Sequence, residues 1–431
     1  MPSPVWVRLT IFLSLGLGSV GSLSGEDWPR WRGPRGDGTW QAPAKIPLKW
    51  PEGGPPKIWK MALGPGYSGI SVAQGRVYTM DRPWKEQKGE KGEKVADNSE
   101  RIVAFDAATG VLLWEHRYAA DYTGVDYGKG PRCTPTVHDG RVYTLGTVGH
   151  LHCLDAASGK VLWSKDLVRA GGAKIPLWGL AASPVIDGKQ VIIHAGQSPG
   201  GCYAALDRLT GEEIWRSGDD PAGYGTPIII THAGTRMLVG WTPEHIVAHR
   251  LTDGKLLWQV EYKVEYGVSI ATPIFHEGLV LVCGYWHGSK AIRLGEKPED
   301  AELAWEENTY LRGLMDQPLY REGQAYLLDK THGIVAFKLA TGEKMWTDNN
   351  RLHPRDRNPQ VSLVWLGETG RAIALNAHGD LMLVKISPTG LEEQSRAKIV
   401  GETWAHPAYA GEHAYARDDE QIVCIKLIAE E

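Results

Sequence analysis

Short apolar runs alternate with turn residues along almost the whole chain. The clearest unit is Thr134–Leu145, where an apolar run meets Asp139-Gly140 and an alternating run follows. Asp-Gly between two such runs predicts a β-hairpin. The same arrangement recurs at Ser183–His194 around Asp187-Gly188, at Thr272–Val282 around Glu277-Gly278, and at Pro318–Leu328 around Glu322-Gly323. Residues 68–79 carry Gln74-Gly75 and residues 407–416 carry Ala410-Gly411.

A second element follows each hairpin. Ala104-Phe105-Asp106-Ala107-Ala108-Thr109-Gly110 runs on to Trp114, Asp155–Gly159 to Trp163, Asp207–Gly211 to Trp215, Asp253-Gly254 to Trp258, and Phe337–Gly342 to Trp346. Asp and Thr side chains can bond the turn backbone, and Gly supplies positive φ. Ile292–Trp305 is a weaker copy, Ile386–Gly390 has lost the Trp, and Trp59 holds the Trp position without the turn.

The positions Trp59, Trp114, Trp163, Trp215, Trp258, Trp305 and Trp346 lie 41 to 55 residues apart. That period, with four strands per repeat, predicts propeller blades. First hairpins near 70, 136, 185, 228, 274, 319, 363 and 408 make eight blades. The last ends on Ile422–Leu427, a third strand with no fourth after it. The unassigned strand Lys57–Lys60 is expected to complete that blade and close the ring, removing an open edge. The expected fold is therefore all-β: an eight-bladed β-propeller of four-stranded antiparallel blades, closed by both termini, spanning 26–431 as one domain.

Composition explains itself through this repeat. There are 18 Trp against 4 Phe, with 52 Gly and 26 Pro in 431 residues. Seven of the Trp occupy the repeat position, where they are expected to pack between neighbouring blades. The hydrophobic and charged fractions exclude a disordered or collagen-like chain. A net charge of −4 argues against nucleic acid as a partner.

Met1–Gly25 carries one charge, Arg8, then the apolar run Leu9–Val20 and small residues. It reads as an export signal cleaved near Ser22-Leu23-Ser24. The mature chain has no second run of that kind, so an exported, soluble protein of the periplasm or exterior is expected, without a transmembrane segment. Cys133, Cys153, Cys202, Cys283 and Cys424 lie in apolar strand-like runs. They read as small buried hydrophobes, with one disulfide such as Cys133–Cys153 as the alternative.

The pattern Ala-x-Asp-x-x-Thr-Gly-x-x-x-Trp, complete at Ala104–Trp114, resembles the repeat of the PQQ-like (quinoprotein alcohol dehydrogenase-like) propellers. Asp27-Trp28-Pro29-Arg30-Trp31-Arg32-Gly33-Pro34 with Asp37-Gly38 resembles the start of secreted bacterial members. That superfamily holds dehydrogenases using pyrroloquinoline quinone (PQQ) with calcium. It also holds a non-enzymatic lipoprotein of the outer-membrane β-barrel assembly machinery. The resemblance to the alcohol dehydrogenases implies a quinone between a Trp and a disulfide of adjacent cysteines. Calcium would sit on carboxylate and amide oxygens. This chain has no adjacent cysteines and no calcium-loop spacing, so no catalytic residue is carried over and no cofactor is expected.

Residues just upstream of the recurring Pro are expected to ring the channel mouth: Tyr67, Arg132, Trp178, Tyr224, Tyr266, Asp316, Trp404 and His406. They form the expected ligand site, unless they only close the blade tops. No metal site is expected: His150 and His152 read as one strand face, and Asp418-Asp419-Glu420 as a solvated turn. Lys/Glu-rich Pro83–Glu100 reads as a solvated loop within the first blade. The leading expectation is a binding or scaffold module with a protein, peptide or carbohydrate at its rim. A PQQ-dependent oxidoreductase and an outer-membrane assembly factor are the alternatives.

Overall fold

The computed structural model describes residues 26–41, 46–85, 89 and 92–428. The expected export signal lies outside them. The described residues form eight antiparallel sheets arranged as an eight-bladed β-propeller. Blade one spans Ser71–Ala119 and blade two Thr136–Asp166. Blades three and four span Val185–Ser217 and Ile228–Glu261. Blades five and six span Ile274–Glu307 and Leu319–Thr347. Blade seven runs from Val361 to Lys398. Blade eight takes three strands from Ala408–Lys426 and its outer strand from Lys57–Ala62, paired antiparallel so that Trp59 faces Cys424. The ring is thus closed by both ends of the chain.

Turn chemistry sets each blade. Asp106 Oδ1 accepts hydrogen bonds from the Thr109 amide at 2.8 Å and its hydroxyl at 2.7 Å, and Asp155 does the same with Ser158. These bonds hold both carboxyls below the usual carboxylate range. Trp114 Nε1 donates to Ala156 O at 3.1 Å in blade two. Trp59, Trp163, Trp215, Trp305 and Trp346 donate in the same way to Ala107, Arg208, Leu251, Leu339 and Ser387 carbonyls of the following blade. Trp258 is buried too, but its Nε1 has no partner.

Blade seven has no Trp on its outer strand. Residues 46–56 cover it instead. Trp50 N donates to Ser395 Oγ at 3.2 Å, and Arg371 donates to the Ile46 and Pro47 carbonyls.

The stretch Trp28–Trp40 enters the ring. Trp28 pairs with Val72 of blade one, and Val137 of blade two donates to Pro29 O at 2.8 Å. Trp31 Nε1 donates to Thr272 Oγ1 beside blade five, and Arg32 Nη2 to Pro318 O beside blade six. Thr39–Trp40 then adds a fifth, parallel strand to blade seven. Trp28 and Trp40 both pack on Tyr409 of blade eight. This stretch therefore plugs the channel, which the repeat pattern had not foretold.

All five cysteines are buried and free. The first blade's Lys/Glu-rich insertion is paired at its base through Trp84 and Ala96, rather than being a wholly solvated loop. Asp418 caps its turn, accepting from Glu420 N and Gln421 N. Among the described residues, no helix is long and apolar enough to cross a membrane.

Candidate functional site: an aromatic pocket at one channel mouth

The loops that lead into the innermost strands converge at one end of the ring. They carry no repeat-wide hydrophobic period, so their side chains are free to differ from blade to blade. Together they enclose a cavity of about 250 Å³. Six of the residues expected at the mouth line it: Tyr67, Arg132, Trp178, Tyr224, Trp404 and His406.

Their rings form a continuous arc. Tyr67 stacks on Trp404 with centroids 5.5 Å apart, and Tyr127 lies 5.7 Å from Trp404 and 5.8 Å from Trp178. Trp178 in turn lies 5.4 Å from Tyr224, whose hydroxyl accepts from Trp178 N. Tyr127 takes a positive φ of 51°, which places its ring between the two tryptophans. The Arg132 guanidinium sits 5.2 Å from the Tyr67 ring centre and donates to the Gly130, Asp126 and Tyr127 carbonyls. Cation–π contact and backbone bonds hold it without a carboxylate partner.

The floor is Trp31, edge-on to His406 at 4.4 Å. His406 is held neutral, its pKa pushed down to about 3 by burial and by Arg32. Burial likewise pushes the Tyr67 hydroxyl up to about 12. The plug thus converts an open channel into a blind pocket.

Tyr266 and Asp316 do not line the cavity. Tyr266 has φ of 55° and is 70% exposed, its ring set 5.8 Å from Trp286, which does line it. Asp316 lies beneath the wall, between lining residues Met315 and Gln317. It is 2% exposed. Its Oδ1 accepts from Val361 N at 2.6 Å, while Oδ2 has no partner. Burial pushes this carboxyl well above the usual range.

Sequence reasoning missed Trp31, Tyr127, Trp286 and Arg357. Trp31 and Tyr127 stand in loops with visible aromatic and glycine signals, but nothing local says that those loops point inward. Trp286 comes from the hairpin Gly284–Gly288 of blade five. Arg357 precedes blade seven, and its carbonyl accepts from Tyr285 Oη. No Asp or Glu is among the described residues lining the cavity. Neither Arg132 nor Arg357 makes an ion pair there.

A family model described as outer membrane protein assembly factor BamB matches residues 98–348. The chain belongs to this family of PQQ-like β-propellers. Within it, the BamB of Yersinia pestis is 24% identical over 317 residues, covering 69% of this chain and 72% of that protein. The dehydrogenase subunit of a quinone alcohol dehydrogenase from Gluconacetobacter polyoxogenes is 34% identical over 130 residues. That match covers 28% of this chain and 17% of that protein. The crystal structure of BamB from Moraxella catarrhalis superposes with a TM-score of 0.58 at 15% identity, over 86% of this chain and 99% of that one. A europium-containing methanol dehydrogenase superposes with a TM-score of 0.64 at 12% identity, over 93% and 89%. Both structural likenesses concern the fold.

Proposed function

We propose that this protein is an exported propeller that works as a binding scaffold, seating a segment of a partner protein in its blind aromatic pocket. The observation that carries this reading is the lining itself. Five rings in an unbroken arc offer apolar, low-entropy contact area. Arg132 and Arg357 add positive charge with no carboxylate against them. Such a pocket suits an aromatic or apolar side chain next to a carboxylate, as at a peptide C-terminus. The similarity to proteins named as outer membrane assembly factors supports a protein partner and a place in the cell envelope.

A calcium-held quinone suits this lining poorly. Calcium takes about six to eight oxygen ligands and is ordinarily held by carboxylates, whereas the described lining offers only hydroxyl, amide and backbone oxygens. No carbohydrate contact is required either.

The test is a titration followed by tryptophan fluorescence. Short peptides ending in an aromatic residue would be compared as free acids and as amides. The acids are expected to bind at least about tenfold more tightly, a margin that charge-assisted hydrogen bonds supply. Arg357→Glu should erase that margin and Trp178→Ala should weaken both series. Failure of every peptide, together with stoichiometric binding of PQQ and calcium and dye-linked alcohol oxidation, would overturn the proposal.

A further inference from the structure

A second constellation lies outside the pocket, where the chain passes from blade six to blade seven. His353 and Asp356 stand on the connecting loop, and His378 stands on the turn between the second and third strands of blade seven. One ligand atom from each lies within 4.8 Å of the other two. Two imidazoles and a carboxylate are the donor set of open, three-ligand transition-metal sites.

The site is built rather than accidental. Asp348 ties the loop down, accepting from Ile334 N at 2.7 Å, Asn350 N at 3.1 Å and Leu352 N at 3.0 Å. Asn376 joins the two elements: its Nδ2 donates to Leu352 O at 3.0 Å, while its Oδ1 accepts from His378 N at 3.1 Å and Asp380 N at 3.0 Å. Leu352, just before His353, and His378 itself are therefore held in one hydrogen-bond frame by Asn376. The two rings sit 4.8 Å apart between centroids.

His353 itself gives the independent sign. It is 1% exposed. Its Nδ1 lies 2.5 Å from Pro354 O. A carbonyl oxygen only accepts, so Nδ1 carries the proton and Nε2 carries the lone pair. That Nε2 is buried and has no hydrogen-bond partner. A buried acceptor without a partner costs about 1–3 kcal/mol. Metal-binding histidines commonly donate their other ring N–H to a backbone carbonyl, which fixes the tautomer.

From these residues we propose that His353, His378 and Asp356 form a site for one divalent transition metal of the zinc type, leaving a coordination position open to an outside ligand. Tetrahedral ligands at ordinary zinc distances stand about 3.4 Å apart. Asp356 is exposed and closes the remaining gap by rotating its side chain. The ion would cross-link the blade-six loop to blade seven. Asp356 directly precedes Arg357, so a bound dication would also add charge beside the pocket mouth.

The probe is cobalt(II), added to the untagged full chain and chased with zinc. One cobalt per chain is expected, with the visible absorption of a four- or five-coordinate ion, displaced by zinc. Zinc should raise the thermal midpoint. Changing a single supporting partner of a metal ligand already weakens such sites by about 10–100-fold. His378→Asn and Asp356→Asn, at a half-buried and an exposed position, should therefore weaken cobalt by at least about tenfold while circular dichroism stays unchanged. Absence of stoichiometric binding would overturn the proposal. So would binding that survives in both variants, which would place the ion away from these three residues.

Discussion

The indole of Trp114 lies flat against Gly159 of the next blade, so that a Cβ added at Gly159 would come within 2.6 Å of the ring. The same glycine has φ of 71°. One residue thus meets two demands at once, a left-handed turn and a surface for the neighbouring Trp. Trp59 on Gly110, Trp163 on Gly211, Trp215 on Gly254 and Trp305 on Gly342 repeat the contact.

Gly159→Ala is therefore expected to cost at least about 2 kcal/mol, from backbone strain plus forced repacking. Gly140→Ala shares the positive φ of 69°, but nothing lies within 4 Å of the new methyl. Its cost should be the strain alone. Urea midpoints of the two variants separate the terms, and equal midpoints would show that the Trp contact contributes nothing.

The unpaired indole supplies a second comparison. Trp114→Phe removes a hydrogen bond to Ala156 O, whereas Trp258→Phe removes none. The first should be more damaging by about 1 kcal/mol, the net worth of such a bond. Denaturant unfolding measures both.

Arg417 secures the joint between blades eight and one. It is fully buried, and donates to Met80 O at 2.5 Å and Gly64 O at 2.6 Å. Asp81 accepts from Gly64 N nearby and pairs with Arg101. Arg417→Met keeps the bulk but strands two carbonyls, and should destabilise by about 3 kcal/mol. An unchanged thermal midpoint would refute that role.

The plug predicts a loss of closure. A chain lacking residues 26–41 should melt at lower temperature and bind a hydrophobic dye in its channel, because Tyr409 would lose the cover of Trp28 and Trp40. Dye binding equal to that of the full chain would argue that the blades alone seal the channel.

Stability should also fall with acid. Burial lowers His152 and His406 to about 3, and His194 and His276 to about 4, from 6.5. The unfolded chain binds protons on these rings first, so their contribution is complete above about pH 6.5. It is lost progressively as the pH falls toward 3–4. The urea midpoint should follow that fall, and His406→Gln should flatten part of it.

Much of this molecule is written locally. Alternating runs, Asp-Gly hairpins and the Asp-x-x-Thr-Gly-x-x-x-Trp repeat state the number of blades, the docking tryptophans and the use of Lys57–Lys60 to close the ring. Each of those features depends on residues a few positions apart, or on a repeat that reappears. The pocket was legible where a side chain stood a few residues before a recurring Pro, as Arg132 and Tyr224 do three residues before Pro135 and Pro227.

Tertiary structure alone decided the rest. Trp31 becomes a floor because blades one, two, five, six, seven and eight all bind the stretch that carries it. Tyr127 joins the arc, and Tyr266 and Asp316 leave it, through backbone angles and burial that no period records. His353 and His378 meet because Asn376 ties a loop to a turn 24 residues further along the chain. Loop residues carry no repeating signal. Their partners are set by ring closure, which brings together side chains far apart in sequence.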